Sequence, residues 1–331
     1  MTRPAYLPDT FTLALIGSVA LASLLPCHGQ GAVIAGAITN VAISLLFFLH
    51  GAKLSRESVI AGATHWRLHL VVFASTFVVF PALGLLLAPL LSRLLTPDLA
   101  LGILYLCLLP STVQSSIAFT AVARGNVPAA ICSASASNLI GIFLTPLLVG
   151  ALLATHGNAT PSFDAVISIV LQLLLPFMLG QGLRPWLGGW ISRHRPLVGR
   201  VDQSSILLVV YTAFSAAVIQ GLWHQMPARA LLGLVLVNAA LLALVLALTT
   251  LASRTLRFNK EDEITIVFCG SKKSLASGVP MAQVLFAGHP VGAIVLPLML
   301  FHQIQLMACA ALAQRHARRP EGDAGASADI A

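Results

Sequence analysis

The sequence predicts an all-α polytopic membrane protein: about ten transmembrane helices in two inverted five-helix repeats. Three observations predict it. Of 331 residues, 57% are hydrophobic and only 9% are charged, against about 25% charged in an ordinary soluble domain, so most of the surface suits lipid. The apolar residues gather in ten long runs, and one crossing needs roughly 20 apolar residues. The basic residues between the runs alternate sharply from one side to the other, as retention of positive charge on the cytoplasmic side requires.

The runs lie at 11–26, 30–50, 67–92, 99–122, 127–154, 163–184, 203–223, 228–253, 262–287 and 290–313. The first resembles a signal peptide in length. Pro26 directly before Cys27 spoils a lipoprotein cleavage site, and the chain that follows is membrane throughout, so 11–26 reads as the first helix. With the N-terminus inside, fifteen Lys and Arg fall on the cytoplasmic side, and only Arg93 and Arg229 fall on the other. Lys272 and Lys273 lie within a span. A missed or false helix would scramble that asymmetry. The expected setting is therefore a bacterial inner membrane with both termini cytoplasmic. The Ala/Gly/Asp-rich segment 316–331 reads as a disordered cytoplasmic tail.

Composition also sets aside several functions. Cys27, Cys107, Cys132, Cys269 and Cys309 are scattered and odd in number, which indicates neither a disulfide framework nor a zinc site. The net charge of +8 belongs to the loops facing the bilayer, so the lipid bilayer is the expected partner and nucleic acid is not.

The fourth run reads LCLLPSTVQSSIAFTAVARGNVPAAI over 106–131, and the ninth reads VFCGSKKSLASGVPMAQVLFAGHPVGAI over 267–294. Each is interrupted early by a polar, helix-breaking cluster, then runs apolar to a Gly-containing turn and a further helix. They fall at matching places in halves 1–158 and 159–315. Five spans per half is an odd number, so the halves must be inverted. Interrupted spans at matching positions point to a transporter binding site, because unwound backbone is tolerated at membrane depth only where it is buried in protein or lines a polar cavity.

The ninth-run cluster Gly270, Ser271, Lys272, Lys273 and Ser274 is the sharpest feature. Lysine at mid-membrane costs a few kcal/mol even on lenient insertion scales. Two readings stand: the lysines sit deep in the span, or the span starts later and both snorkel to the cytoplasmic interface. All eleven acids fall in loops, at span ends or in the tail. A deep lysine must then be neutral, bonded to backbone carbonyls, or paired with a bound anion. The anion makes the headgroup of a small organic anion a natural partner.

The fourth-run cluster is Pro110, Ser111, Thr112, Gln114, Ser115 and Ser116. Its hydroxyls and amide suit a cation or a substrate, and equally suit ordinary bonding to helix backbone. Ser133 and Ser137 share a face of the fifth span with Asn138 following, which reads as a ligand set or as small-residue packing between helices. His302, beside Gln303 and near Gln305, is either a proton carrier or a histidine bonded to a neighbouring helix. Asn40, Gln172 and Gln220 are weaker candidates for a facing wall.

The segments ARGNVPAAICSASASNLIGIFLTPLL (123–148), HGAKLSRESV (50–59), HWRLHLVVFASTFVVFP (65–81) and FCGSKKSLASGVPMAQVLF (268–286) resemble the bile acid:sodium symporter superfamily, the last three its SBF-like branch. The resemblance covers nearly the whole chain. It implies a core of spans 3–5 and 8–10, with broken spans 4 and 9 crossing near the midplane, and a panel of spans 1, 2, 6 and 7 that moves against it. It also implies sodium sites behind the crossover, near Ser115, Ser116 and Ser133. The implied Ser-Asn pair falls on Ser115 and Ser116, and two hydroxyl ligands fall on Ala130 and Ala134. The implied glutamate falls on Phe268, a Gln-Asn pair on Lys272 and Lys273, and a third-span glutamine on Thr76. Sodium is therefore the only cofactor-like ligand in view, and its usual carboxylate is missing. A lysine ammonium in its place would act as a tethered cation.

The expected function is secondary active transport of an organic anion by alternating access, with sodium or proton coupling. The alternative is a membrane regulatory protein, for example of ion homeostasis, that keeps the fold without transport. No nucleophile–base pair or metal cluster suggests an enzyme.

Overall fold

A computed structural model describes residues 10–53, 65–153, 170–225 and 227–318. Among them every regular element is helical: α1 (Thr10–Leu24), α2 (Gly29–Lys53), α3 (Trp66–Leu94), α4 (Pro97–Leu108), α5 (Gln114–Val122), α6 (Val127–Leu153), α7 (Leu175–Arg193), α8 (Arg195–Ile219), the single turn α9 (Leu222–Gln225), α10 (Ala228–Thr255), α11 (Lys260–Gly270), α12 (Leu275–Leu285) and α13 (Val291–Ala317). Over their described residues the hydropathic runs coincide with one or two of these, and the sixth also takes in a π-turn at Val170–Leu174 that leads into α7. Six helices (α2, α3, α6, α8, α10 and α13) are long and apolar enough to cross a membrane. The tail expected to be disordered lies, from residue 319, outside the described residues, and α13 reaches Ala317.

Two local features differ from the sequence reading. The Arg-rich connection expected between 184 and 203 is helical, with α7 running to Arg193 and α8 starting at Arg195. His194 alone separates them, its N–H bonded to the Trp190 carbonyl at 3.0 Å and its carbonyl taking the Val198 N–H at 3.0 Å. Hydropathy marks only the stretch that suits lipid, whereas helical hydrogen bonding continues into water. The second feature is a π-turn in α3 at Ser75–Val79, where the Phe80 N–H reaches back to Ser75.

The helices pack in two groups. In the first, α2 lies along α7 and α8, and α1 lies on α8. In the second, α4 packs on α3 and α13, α11 packs on α3, α5, α6 and α10, and α12 packs on α13. The groups meet where α8 lies against α12 and α13. Between lipid-facing helices there is little hydrophobic drive, so close backbone approach through small residues carries the packing. The α2–α7 contact shows this reciprocally: Gly51 faces the Phe177 carbonyl, Gly180 faces the Phe48 carbonyl, and neither site has room for a β-carbon.

Gly180→Ala is therefore expected to force α2 and α7 apart, at about 1–3 kcal/mol as for other overpacked contacts. Gly182→Ala, on the same helix but with open space around its β-carbon, is expected to leave stability unchanged or slightly raised. Thermal melting of the two variants in detergent checks this, and an equal loss in both would refute it.

Candidate functional site

Two helices stop in mid-course and their ends meet. α4 ends at Leu108 and the chain resumes as α5 at Gln114; α11 ends at Gly270 and resumes as α12 at Leu275. The last carbonyls of each stopped helix have no helical N–H to accept. Buried away from water, they must find partners elsewhere.

At the end of α4 the partners can be named in order. Pro110 has no N–H, and the Leu109 N–H turns to the Leu106 carbonyl instead at 3.3 Å. The Cys107 carbonyl receives Lys273 Nζ at 3.0 Å, Leu108 receives the Thr145 hydroxyl at 2.8 Å, and Leu109 receives Lys273 Nζ at 2.6 Å. Pro110 receives the Ser274 N–H at 2.9 Å, while the Ser111 N–H donates to Ser137 Oγ at 3.1 Å. The end of α11 is treated the same way. Ser271 Oγ donates to Val267 (2.6 Å), Ser116 Oγ to Phe268 (3.1 Å), Ser111 Oγ to Cys269 (2.6 Å) and Ser75 Oγ to Gly270 (2.8 Å). Ser274 caps α12 by accepting the Ser277 N–H at 3.2 Å.

Lys273 has a third acceptor, the Thr76 carbonyl at 2.9 Å. The π-turn explains why that carbonyl is free. In the register set by Phe80 N–H to Ser75, Thr76 would next take the N–H of residue 81, which is a proline. Three carbonyls around one nitrogen match the three N–H bonds of an ammonium. Phe80 lies beneath it, its ring centre 4.1 Å from Nζ. The backbone of Lys273 is held by Gln305, which accepts its N–H at 3.0 Å and donates to its carbonyl at 3.1 Å. Lys272 points the other way: Nζ reaches the Ser115 carbonyl at 2.8 Å and sits 4.1 Å over Phe119 and 5.1 Å from Phe268. Both lysines are 0% exposed.

A cavity of about 290 Å³ lies beside the crossing, between the two helix groups. One wall carries Thr112, Gln114, Asn138, Ser274 and Ser277; the other carries His50, Lys53, Phe177, Asp202, Gln203 and Ile206. Asn138 Oδ1 accepts the Ser277 hydroxyl at 2.7 Å. Of the residues singled out in sequence, Thr112, Gln114, Asn138 and Ser274 thus line open space. Pro110, Ser111, Ser116, Ser137, Gly270, Ser271, Lys272, Lys273 and Thr76 are spent on the crossing itself. Ser115 lends it a carbonyl, while its hydroxyl is buried without a hydrogen-bond partner. Ser133 bonds His69 at 2.6 Å and His302 bonds Gln305 at 2.9 Å, both away from the cavity. Asn40, Gln172 and Gln220 do not line it. Sequence reasoning missed His50, Lys53, Asp202 and Gln203. The available signal was spacing: Gly199, Asp202, Gln203 and Ile206 stand at i, i+3, i+4 and i+7, one stripe of α8.

The donor set can be tested against a sodium ion near Ser115, Ser116 and Ser133. The Ser115 carbonyl takes a lysine, Ser116 donates to a carbonyl, Ser133 pairs with histidine, and the neighbouring position 268 offers a phenyl ring, which leaves the Ser115 hydroxyl as the one unengaged oxygen of the set. These groups do not form an oxygen cage for a hard cation.

Residues 9–318 match the model of the SBF-like CPA transporter family. The chain is 66% identical to an uncharacterized Pseudomonas aeruginosa protein, over 99% of both chains. It is 58% identical to an Escherichia coli protein provisionally named the symporter YfeH, covering 95% of this chain and 94% of that one. The mouse protein named sodium/bile acid cotransporter 7 is 28% identical over 90% of this chain and 89% of its own.

Lys273→Met leaves three buried carbonyls without a donor. Each such loss costs on the order of 1–3 kcal/mol before relaxation, so a large drop in Tm in detergent is expected. Lys272→Met is expected to cost much less, because Ser115 lies within α5 and its carbonyl has a helical N–H to accept. Equal losses in the two variants would contradict this assignment.

Proposed function

The chain belongs to the SBF-like CPA transporter family, and from that premise we propose that it is a secondary transporter carrying a small amphipathic organic anion across a bacterial inner membrane by alternating access. The observation that carries the reading is the meeting of two interrupted helices beside a cavity that separates two helix groups. Interrupted spans are the usual place for a transported ligand, and a cavity between separately packed groups gives one group something to move against.

All ten hydropathic runs then cross the membrane, with both termini cytoplasmic, as the fifteen-to-two division of loop charges supports. Halves 1–158 and 159–315 are inverted copies. Packing supports this, because contacts have counterparts: α1 on α8 corresponds to α7 on α2, α4 on α3 to α11 on α10, α4 on α13 to α11 on α6, and α3 on α6 to α10 on α13.

The mouse relative's name pairs sodium with a bile acid. For this chain we take over the amphipathic anion and not the sodium. Lys272 and Lys273 place their amino groups at the crossing, and they occupy carbonyls that a mobile cation would need. Titratable His50, Lys53 and Asp202 on the cavity wall leave a proton gradient as the drive.

Reconstituted protein in proteoliposomes is expected to take up or exchange an amphipathic anion such as taurocholate or naphthalene-2-sulfonate. The rate should be the same in sodium and potassium buffers and should respond to an imposed pH gradient. Uptake that requires sodium would overturn the coupling assignment. Folded protein that moves neither anion would favour the other reading, a membrane regulatory protein that keeps the fold without transport.

A further inference from the structure

Resting on the reading of the cavity as an organic-anion site, we propose that Lys53 is the anchor for the substrate's oxyanion headgroup and that Asp202 holds that place while the cavity is empty. The first observation is negative. The two lysines that the sequence offers as anion partners are fully buried, turned onto backbone carbonyls, and absent from the cavity wall. The positive charge facing the cavity comes from α2, where Lys53 forms an ion pair with Asp202 of α8.

The second observation is a passage. A neighbouring cavity of about 340 Å³ shares Lys53, Gln114, Gly199 and Asp202 with the first and adds Arg184 and Arg195. Among the described residues its wall thus carries three cations and one acid. A mouth of one sign draws in the opposite sign. Gly199 stands on both walls, and a β-carbon there would meet nothing within 4 Å, so the backbone leaves a gap between mouth and inner cavity. Beyond the gap, Phe177 and Ile206 offer apolar wall to the body of a ligand whose headgroup stays at Lys53.

The third observation concerns what the pair gives up. The side chains of Lys53 and Asp202 are 32% and 14% exposed, so the Lys53 ammonium stays within reach of water when the pair opens. Asp202 Oδ1 is buried with no hydrogen-bond partner, so Asp202 is bound through one oxygen only. An arriving carboxylate or sulfonate replaces one oxyanion on Lys53 by another, and the released Asp202 faces a mouth that carries Arg184 and Arg195. The ligand class is a singly charged oxyanion on an apolar body.

The test uses the full chain in neutral maltoside detergent, with benzoate as the probe and thermal-shift titration as the readout. Removing the internal competitor in Asp202→Ala is expected to tighten benzoate binding at least tenfold over the wild type. Asp202→Asn, which keeps the side-chain shape, should do the same and serves where the alanine variant does not fold. Adding Lys53→Gln to either should abolish the gain, and benzylammonium should show no gain in any variant. Adding Gly199→Phe to Asp202→Asn should also abolish it, by closing the gap. Benzoate affinity unchanged by loss of Asp202, or raised equally with and without Lys53, would overturn the assignment. Stabilisation by phosphatidylglycerol in place of benzoate would do so too, since a lipid headgroup would then be the occupant. None of these outcomes depends on transport, so anion uptake by the wild type alongside a failed benzoate gain would remove the anchor and leave the transporter reading standing.

Discussion

The structure turns on a constraint of the backbone: two helices end inside the protein, and the carbonyls they strand must be satisfied without water. The Lys273 ammonium answers the largest share of that demand, joining the end of α4 to α3 through Cys107, Leu109 and Thr76. The hydroxyls of Ser75, Ser111, Ser116, Thr145 and Ser271 answer most of the rest. Each of these except Ser271 reaches across to another segment, so capping and tertiary packing are the same bonds. Even the π-turn of α3 belongs to this arrangement, since its shifted register and Pro81 together free the Thr76 carbonyl.

A lysine used in this way differs from a bound ion in one respect that matters for transport. An ion arrives, binds and leaves, so its gradient can drive a cycle. A tethered lysine neither arrives nor leaves, so no gradient of it can drive a cycle. The crossing is then assembled before any ligand arrives, and binding energy need not be spent on forming it. The two adjacent lysines can serve opposite sides because they lie in the break, where successive side chains are not held to helical directions. Lys272 turns to α5 and Lys273 to α3 and α4.

Much of this was legible in the sequence, and the reasons for the rest are physical. Apart from the two breaks and a few terminal residues, the ten apolar runs are helical among the described residues, because the drive to bury apolar surface is written in local composition. The two breaks were visible because Pro110 and the polar runs around it and around Lys272 leave a helix few alternatives. The direction of each lysine was not visible, since it depends on carbonyls more than 150 residues away. Ser133 and Ser137 were open between ligand and packing roles; their bonds to His69 and to the Ser111 N–H are a third kind of role, visible only once the helices are placed. Lys53 and Asp202 read as ordinary interface charges, because in sequence they sit at span ends 149 residues apart. Charge at a span end signals topology on average, and only the fold says which such charges face an interior.

The placement of the cavity also says where the protein must give way. α8 meets the second helix group along its length, but differently at its two ends. Near its start, Gly199 to Ile206 face the cavity. Farther along, Ala213, Phe214 and Ala217 close onto Gly292 of α13, where a β-carbon would come within 2.8 Å of the Ala217 side chain and 3.0 Å of the Ala213 carbonyl. On the orientation that the loop charges support, the open end faces the cytoplasm and the sealed end faces away from it. The seal contains no ion pair among its named residues and consists of small side chains against backbone. Such contacts gain only a fraction of a kcal/mol per atom pair, and parting them strands no charge. The crossing, by contrast, is tied by charge-assisted bonds to carbonyls that have no substitute partner. Opening the far side therefore asks least of the Ala217–Gly292 seam and most of the Lys273 cage. In the transport cycle proposed above, the moving part would then be α8 with α1, α2 and α7 and the intact crossover the fixed part, its wall facing Lys53 made of Asn138, Ser274 and Ser277.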